Sequence, residues 1–244
     1  AEVFARGFCF TRSFTHPFVP ERVGLAWWLR DAPRSRGKYR CEEWVAHGVA
    51  PAELDRLARQ HTRGRFVICA FCGVGESEAS LRAGYKALGY RLTATEAFMV
   101  HRLKKIPRVT APAGVRIERV VGADLATGLA HAAGARQILP EYVRDDAPLR
   151  SYVALQKNEP VGWVRSIVVG DATWCSNMFV VPKLRRRGIG SALLCAMLRD
   201  DRACGSNLAV LLASHTGAKL YPTAGYEQIG TLLMFVPGRS RRAT

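Results

Sequence analysis

Residues 178–199 read MFVVPKLRRRGIGSALLCAMLR, and this stretch decides the fold. Its apolar start reads as a strand that Pro182 brings to an end. Beyond the glycines, Ile189, Ala192, Leu193, Ala196 and Met197 have the spacing of one helix face, and the helix is expected to run to about Arg202. Between strand and helix lies Arg185-Arg186-Arg187-Gly188-Ile189-Gly190-Ser191. The first turn of a helix leaves backbone N–H groups without intrahelical partners, and the macrodipole puts partial positive charge there. Glycines remove side chains that would hold an anion away from the backbone, and three arginines add formal charge beside it. The segment therefore predicts a pyrophosphate site. Competing phosphate motifs fit less well. A Walker loop needs Gly-Lys-Ser/Thr at its end, and a dinucleotide fingerprint needs a small residue where Leu193 stands and an acid where Asn207 and Leu208 stand. The other glycine pair, Gly73-Val74-Gly75, precedes Glu76 and Glu78, which repel phosphate.

Upstream of this loop, VRIERVV from Val115 reads as a strand, Ala123 to Ala133 as a helix, and Glu141 to Leu149 as a second helix. SYVALQ, VGWVRSIVV and ATWCSNMFVV follow as three strands with short turns. Downstream, LAVLLA reads as a buried strand, Ser214 to Ala224 as a short helix, and YEQIGTLLMFV as a closing strand or hairpin. The stretch KKIPRVTAPAG, rich in proline and basic residues, separates two patterned regions. The expected division is thus a domain over 1–105, a linker over 106–114 and a domain over 115–244. At a constant offset of 136 residues, Tyr85 maps onto Tyr221, Gly89 onto Gly225 and Tyr90 onto Tyr226. FVICAFC likewise corresponds to LAVLLA, so an internal duplication is expected.

Composition, 48% apolar and 23% charged, is that of an ordinary globular chain. No apolar run suits a signal peptide or a membrane span, so a cytoplasmic location is expected. The net charge of +16 divides evenly about Lys105, with 18 basic and 10 acidic residues on each side. No basic arm is set apart; Arg185 to Arg187 form the compact cluster and Arg239, Arg241 and Arg242 a looser one. A diffuse positive surface is the simpler account, and nucleic acid is not the expected partner. Seven scattered cysteines suit buried thiols in a reducing compartment. Cys69 and Cys72 have metal or redox spacing, yet they lie within an apparent buried strand and no second ligand pair follows, so no metal is expected.

The loop Arg185 to Gly190 resembles the Gln/Arg-x-x-Gly-x-Gly/Ala signature of the GNAT (GCN5-related N-acetyltransferase) superfamily. A second segment, ASHTGAKLYPTAGY, is similar to the A-S-x-x-G-x-x-L-Y-x-x-x-G-Y/F ending of many members, through Ala213, Ser214, Gly217, Leu220, Tyr221, Gly225 and Tyr226. The resemblance covers about 120 residues and implies an α+β GNAT fold: a mixed, mostly antiparallel sheet flanked by helices, here in two tandem domains. It also implies acetyl-CoA as cosubstrate. The backbone of Phe179, Val180 and Val181 would run along the pantetheine arm, with Phe179 and Val181 doing the pairing. Arg185, Arg186, Arg187, Gly188, Ile189, Gly190 and Ser191 would surround the pyrophosphate. Ser214 stands where many members carry an asparagine that touches the cofactor.

Tyr221 matches the tyrosine that protonates the leaving thiolate; a phenol of ordinary pKa about 10 carries its proton at neutral pH. A core aromatic is the alternative reading. Glu141 is the candidate general base, although an acid at a helix start has a purely structural explanation. His131 and His215 read as surface or capping residues. In the first half VAPAELDRLARQ takes the place of the phosphate loop without its glycines or arginines, so that copy is expected to have lost cofactor binding. The function implied is direct transfer of an acetyl group to a primary amine of a small molecule or peptide, with a catalytically inactive CoA-sensing or nucleic-acid-associated module as the alternative.

Overall fold

The computed structural model describes residues 1–32 and 39–238; the expected basic cluster at Arg239, Arg241 and Arg242 lies outside the described residues. The chain runs α1 (Glu2–Arg12), β1 (Phe18–Val23), β2 (Ala26–Asp31), β3 (Glu42–His47), α2 (Pro51–His61), β4 (Phe66–Gly73), α3 (Glu78–Ala87) and β5 (Tyr90–His101). It continues with β6 (Val115–Arg119), α4 (Ala123–Ala133), β7 (Leu149–Gln156), β8 (Glu159–Val169), β9 (Ala172–Val180), α5 (Ile189–Ala203), β10 (Leu208–Ala213) and β11 (Glu227–Pro237). Two compact units result. Unit 1 holds residues 1–98, 212–214 and 228–244, and unit 2 holds 99–211 and 215–227. These units do not follow the linear division read from the sequence. β11, expected to close the second half, pairs antiparallel with β4 of unit 1, Gly230 opposite Gly73 and Phe235 opposite Ile68.

In unit 1 the strand order is β1-β2-β3-β4-β11-β5. β3 and β4 are parallel, joined by α2. A parallel strand is covered on both faces, which is why FVICAFC is apolar without alternation; Cys69 and Cys72 are both buried in it. Trp44, Leu54, Ile68, Tyr85 and Phe235 make the core. Beneath it sits Glu43, whose Oε1 accepts from Arg12 Nη1 at 3.0 Å and whose Oε2 lies 4.0 Å from Cys69 Sγ. Burial pushes the Glu43 carboxyl up to about 7, Glu96 adding to the shift and Arg12 opposing it. A carboxyl raised in the folded state keeps its proton between the ordinary value, about 4.3, and its own higher one, while the unfolded chain has lost it. Stability therefore falls as pH rises across that window, by about 4 kcal/mol at most. Glu43→Gln is expected to abolish most of this slope and to raise the thermal midpoint at pH 8 by roughly 5 °C; parallel melting curves of the two proteins from pH 5 to 8 contradict it.

In unit 2 the order is β10-β9-β8-β7-β6. β6 to β9 form an antiparallel meander, and β10 joins β9 in parallel after α5. Each unit thus contains a parallel strand pair bridged by a helix, β3-α2-β4 and β9-α5-β10. Each also closes on the same aromatic device. Tyr85 and Tyr90 meet edge to face at 5.7 Å, and Tyr221 and Tyr226 do so at 5.6 Å. In both copies the glycine just before the second tyrosine is left-handed, Gly89 at φ 80° and Gly225 at φ 96°, a conformation that favours glycine. The duplication read at the offset of 136 therefore recurs as local architecture.

Two expected helices differ. Glu141 to Leu149 is only a 3-10 turn over Pro140–Tyr142 followed by an irregular segment. Pro140 can open a turn, but Pro148 disfavours helical geometry at Ala147 and β7 already begins at Leu149. Ser214 to Ala224 consists of two 3-10 turns, Gly217–Lys219 and Tyr221–Ala224, because Pro222 lacks the N–H for a continuous ladder. The expected linker, residues 106–114, has no regular structure and lies along α5, where Arg199 Nη1 donates to Pro107 O at 3.2 Å.

Candidate functional site

β9 parts from its parallel neighbour inside unit 2. Pairing with β10 runs from Leu208 opposite Ala172 to Val210 opposite Trp174. From Cys175 to Val180 that edge of β9 runs beyond the paired register, while its other edge stays on β8. The register on β8 shifts between Trp163 and Arg165, where Asn177 and Met178 oppose a single residue. Asn177 takes φ 53° there, as bulged strands require.

Which backbone groups face the open edge follows from one bond. Val181 N donates to Val161 O at 2.9 Å, so Val181, and Phe179 two residues before it, direct their main chain at β8 by strand alternation. This corrects the expectation that Phe179 and Val181 would pair with an added strand. Val180, and by alternation Met178, present their main chain outward; the Val180 carbonyl accepts from Arg185 Nε at 2.9 Å. Met178 was missed because only the register of β8 against β9 sets that parity.

Beyond β9, residues Pro182–Leu184 make a 3-10 turn anchored by buried Leu184. Arg186 is left-handed at φ 63° and Gly188, the residue before α5, at φ 85°. No side chain caps the helix, and its first internal bond runs from Ala192 N to Gly188 O at 3.0 Å. Arg185, Arg186 and Arg187 are all exposed, with the Arg185 guanidinium 5.6 Å from the Phe179 ring centre. The two glycines do different things. A Cβ on Gly188 would find only Pro112 Cγ, at 3.9 Å, so this position is open. One on Gly190 would press against Leu220 Cδ2 at 3.3 Å and Met178 Cε at 3.4 Å. Gly190 is thus small to let α5 start against Met178 and Leu220, whereas openness toward solvent belongs to Gly188. Ile189 is buried and Ser191 half-buried on the first turn.

That contact brings the segment before Tyr221 to the start of α5, and α5 packs on the Tyr221–Ala224 turn. Tyr221 is buried, its ring edge to face with Tyr226. Ser214 is an exposed residue directly after β10, in the segment that groups with unit 1. Glu141 is exposed on its 3-10 turn, and its carbonyl accepts from Arg144 Nε. His131 and His215 are exposed.

Two further clusters escaped the sequence reading, one around Asp201 and one around Gln137. Asp201, fully buried in α5, accepts from Arg150 Nη2 at 2.8 Å, Ser166 Oγ at 2.7 Å and Thr173 Oγ1 at 2.9 Å. These donors come from β7, β8 and β9, so a single carboxylate ties the helix to three strands. On the opposite face of β8, Arg165 Nη1 donates to Gln137 O at 3.3 Å, and Asn177 Nδ2 donates to Gln137 Oε1. The segment after α4 is thereby fastened to the sheet at the bulge. Burial pushes Arg165 down to about 10. Among the described residues no group of three His, Cys, Asp or Glu is arranged to hold a metal ion.

Comparison with known proteins follows the same lines. Residues 147–228 match the family model described as the acetyltransferase (GNAT) domain. Among solved structures, the chain is similar to a GCN5-related N-acetyltransferase from Kribbella flavida at TM-score 0.67 and 16% identity, covering 96% of this chain and 95% of that one. A GNAT-family acetyltransferase from Novosphingobium aromaticivorans aligns at TM-score 0.53 and 14% identity, over 97% of each chain. A tandem GNAT protein from the clavulanic acid biosynthesis pathway aligns at TM-score 0.51 and 14% identity, over 75% of this chain and 67% of that one. At these identities the likeness is one of fold. No curated protein matches the chain by sequence, and nothing in these likenesses supports a catalytically inactive binding module.

Proposed function

We propose that the chain, whose residues 147–228 match the acetyltransferase (GNAT) domain model, is a tandem member of the GNAT superfamily and transfers an acetyl group from acetyl-CoA to a primary amine within a ternary complex. The observation carrying this reading is the coincidence, in one unit, of an uncapped helix start, an exposed arginine loop and an unpaired strand edge. Each suits a different part of the cosubstrate. N–H groups at the start of α5, from Gly188 to Ser191, suit a diphosphate, with Arg185, Arg186 and Arg187 lowering the cost of its charge. The outward main chain of Val180 and Met178 suits an amide-bearing arm that adds as a strand. When bound, acetyl-CoA supplies the activated thioester. Tyr221 holds a proton on its phenol oxygen for the departing sulfur, and the bulge at Asn177 shapes the strand beside it. Glu141, an exposed carboxylate, would accept the amine proton through water.

The test is release of free thiol from acetyl-CoA by the purified chain with a mixed panel of amines, the acylated product being identified by mass. No thiol release with any amine argues against an enzyme. For the loop, Gly190→Asp is expected to weaken acetyl-CoA binding at least tenfold, about 1.4 kcal/mol, because its Cβ forces Met178 and Leu220 apart and a carboxylate arrives at an anion site. An unchanged dissociation constant by calorimetry rejects this placement of the phosphates.

A further inference from the structure

The turn that carries Tyr221 is braced from behind by a buried histidine of the same unit. His101, the last residue of β5, is 3% exposed. Its Nδ1 accepts from Leu103 N at 2.8 Å, and Leu103 is itself buried and left-handed at φ 57°. A neutral imidazole has one acceptor and one donor nitrogen, so with Nδ1 accepting the proton sits on Nε2. The ring donates to the main-chain carbonyls of Ala224 and Lys105. Nε2 stands close to the turn: a Cβ added to Gly225 would lie 2.9 Å from it and 3.6 Å from Lys105 O. The imidazole also meets the Tyr226 ring edge to face at 5.3 Å, and Tyr226 meets Tyr221 in the same way at 5.6 Å. Burial holds the imidazole below its usual pKa, opposed by those two carbonyls and by the charge of Glu227. The ring is therefore neutral at pH 7, with one nitrogen on the chain leaving β5 and the other on the turn.

Tyr221–Ala224 has little stiffness of its own. It is a single 3-10 turn, closed by Gly225 N on Pro222 O at 3.0 Å and by Tyr226 N on Tyr221 O at 3.2 Å, and hydrogen bonds in such turns are poorly aligned. A donor on a buried ring fixes the Ala224 end of it. The first copy of the Gly-Tyr closure offers the comparison. At the same offset of 136, His101 corresponds to Pro237, which has no side-chain donor. There the Gly89 carbonyl accepts from Gly238 N at 2.8 Å, and a Cβ added to Gly89 meets nothing within 4 Å among the described residues. Closing this turn does not by itself call for an imidazole, since main chain closes it in unit 1. The imidazole accompanies the copy that has the phosphate loop and the candidate acid.

We infer that His101 is a positioning residue for Tyr221, holding the Tyr221–Ala224 turn through its Nε2 proton so that the phenol stays aimed at the departing sulfur. This rests on the reading of Tyr221 as the acid. His101→Asn keeps an acceptor where Nδ1 stands and loses the Nε2 donor, whereas His101→Gln does the reverse. His101→Asn is expected to lower kcat at least about tenfold, as misplaced catalytic groups do, with acetyl-CoA affinity by calorimetry changed less than about twofold. His101→Gln should recover most of the loss. In a Tyr221→Phe background His101→Asn should add nothing, because both changes act through one oxygen. Gly225→Ala, whose Cβ displaces the imidazole, should resemble His101→Asn, while Gly89→Ala bears the same left-handed strain and should leave kcat unchanged. That second pair decides the matter if His101→Asn does not fold. Full turnover in Tyr221→Phe removes the acid reading and this one with it. Lowered turnover there beside full turnover in His101→Asn, equal losses in the Asn and Gln variants, or a further loss in the double variant overturns the role of His101 alone.

Discussion

Replacing Asp201 by alanine is expected to cost about 3–5 kcal/mol of stability, the range for removing one member of a buried ion pair. Arg150, 3% exposed, would be left as a buried cation, and the hydroxyls of Ser166 and Thr173 would lose their shared acceptor. The large figure describes breakage. Replacing the whole set by apolar groups of matching shape is often neutral, since desolvating two charges offsets much of their attraction. Asp201→Asn keeps the shape and one acceptor oxygen, so its loss should be clearly smaller. Because α5 carries the candidate phosphate site at its other end, acetyl-CoA affinity should fall along with the urea midpoint. An alanine variant with an unchanged midpoint shows that the carboxylate does not hold the helix.

Tyr221→Phe is expected to lower kcat by about 10²–10⁴, the usual yield of a positioned general acid, with little change in acetyl-CoA affinity. The ring that packs on Tyr226 stays, and only the donor oxygen is lost. The matched tyrosine pair supplies a control. Tyr85 occupies the equivalent place in unit 1, fully buried against Phe235 at 4.4 Å, and burial holds its phenol well above the ordinary range. Tyr85→Phe should therefore leave turnover unaffected. Equal turnover in Tyr221→Phe moves the acid role to another group.

The loop shows how far local pattern reaches. The apolar spacing from Ile189 to Met197 and the glycine before it place α5 within a residue or two, because helix periodicity and a left-handed N-cap are short-range matters. The meander β7-β8-β9 was legible for the same reason. The helix expected at Glu141 failed where two prolines eight residues apart outweighed the apolar pattern between them. Glu141 consequently lost the helical setting that had made it a candidate. Gly190 was read for its openness, yet its Cβ direction meets Met178 and Leu220, residues 12 and 30 positions away in the chain.

Helix and strand identity, the anion-attracting turn at Gly188 and the repeated Gly-Tyr closure follow from neighbours a few residues apart, and the chain's order of residues states them directly. The pairing of β11 with β4, the parity that turns Val180 rather than Val181 outward, and the convergence of Arg150, Ser166 and Thr173 on Asp201 all depend on folding. Each is a contact between segments far apart in the chain, fixed by strand register and by which faces of the elements are buried together. No local spacing encodes those choices.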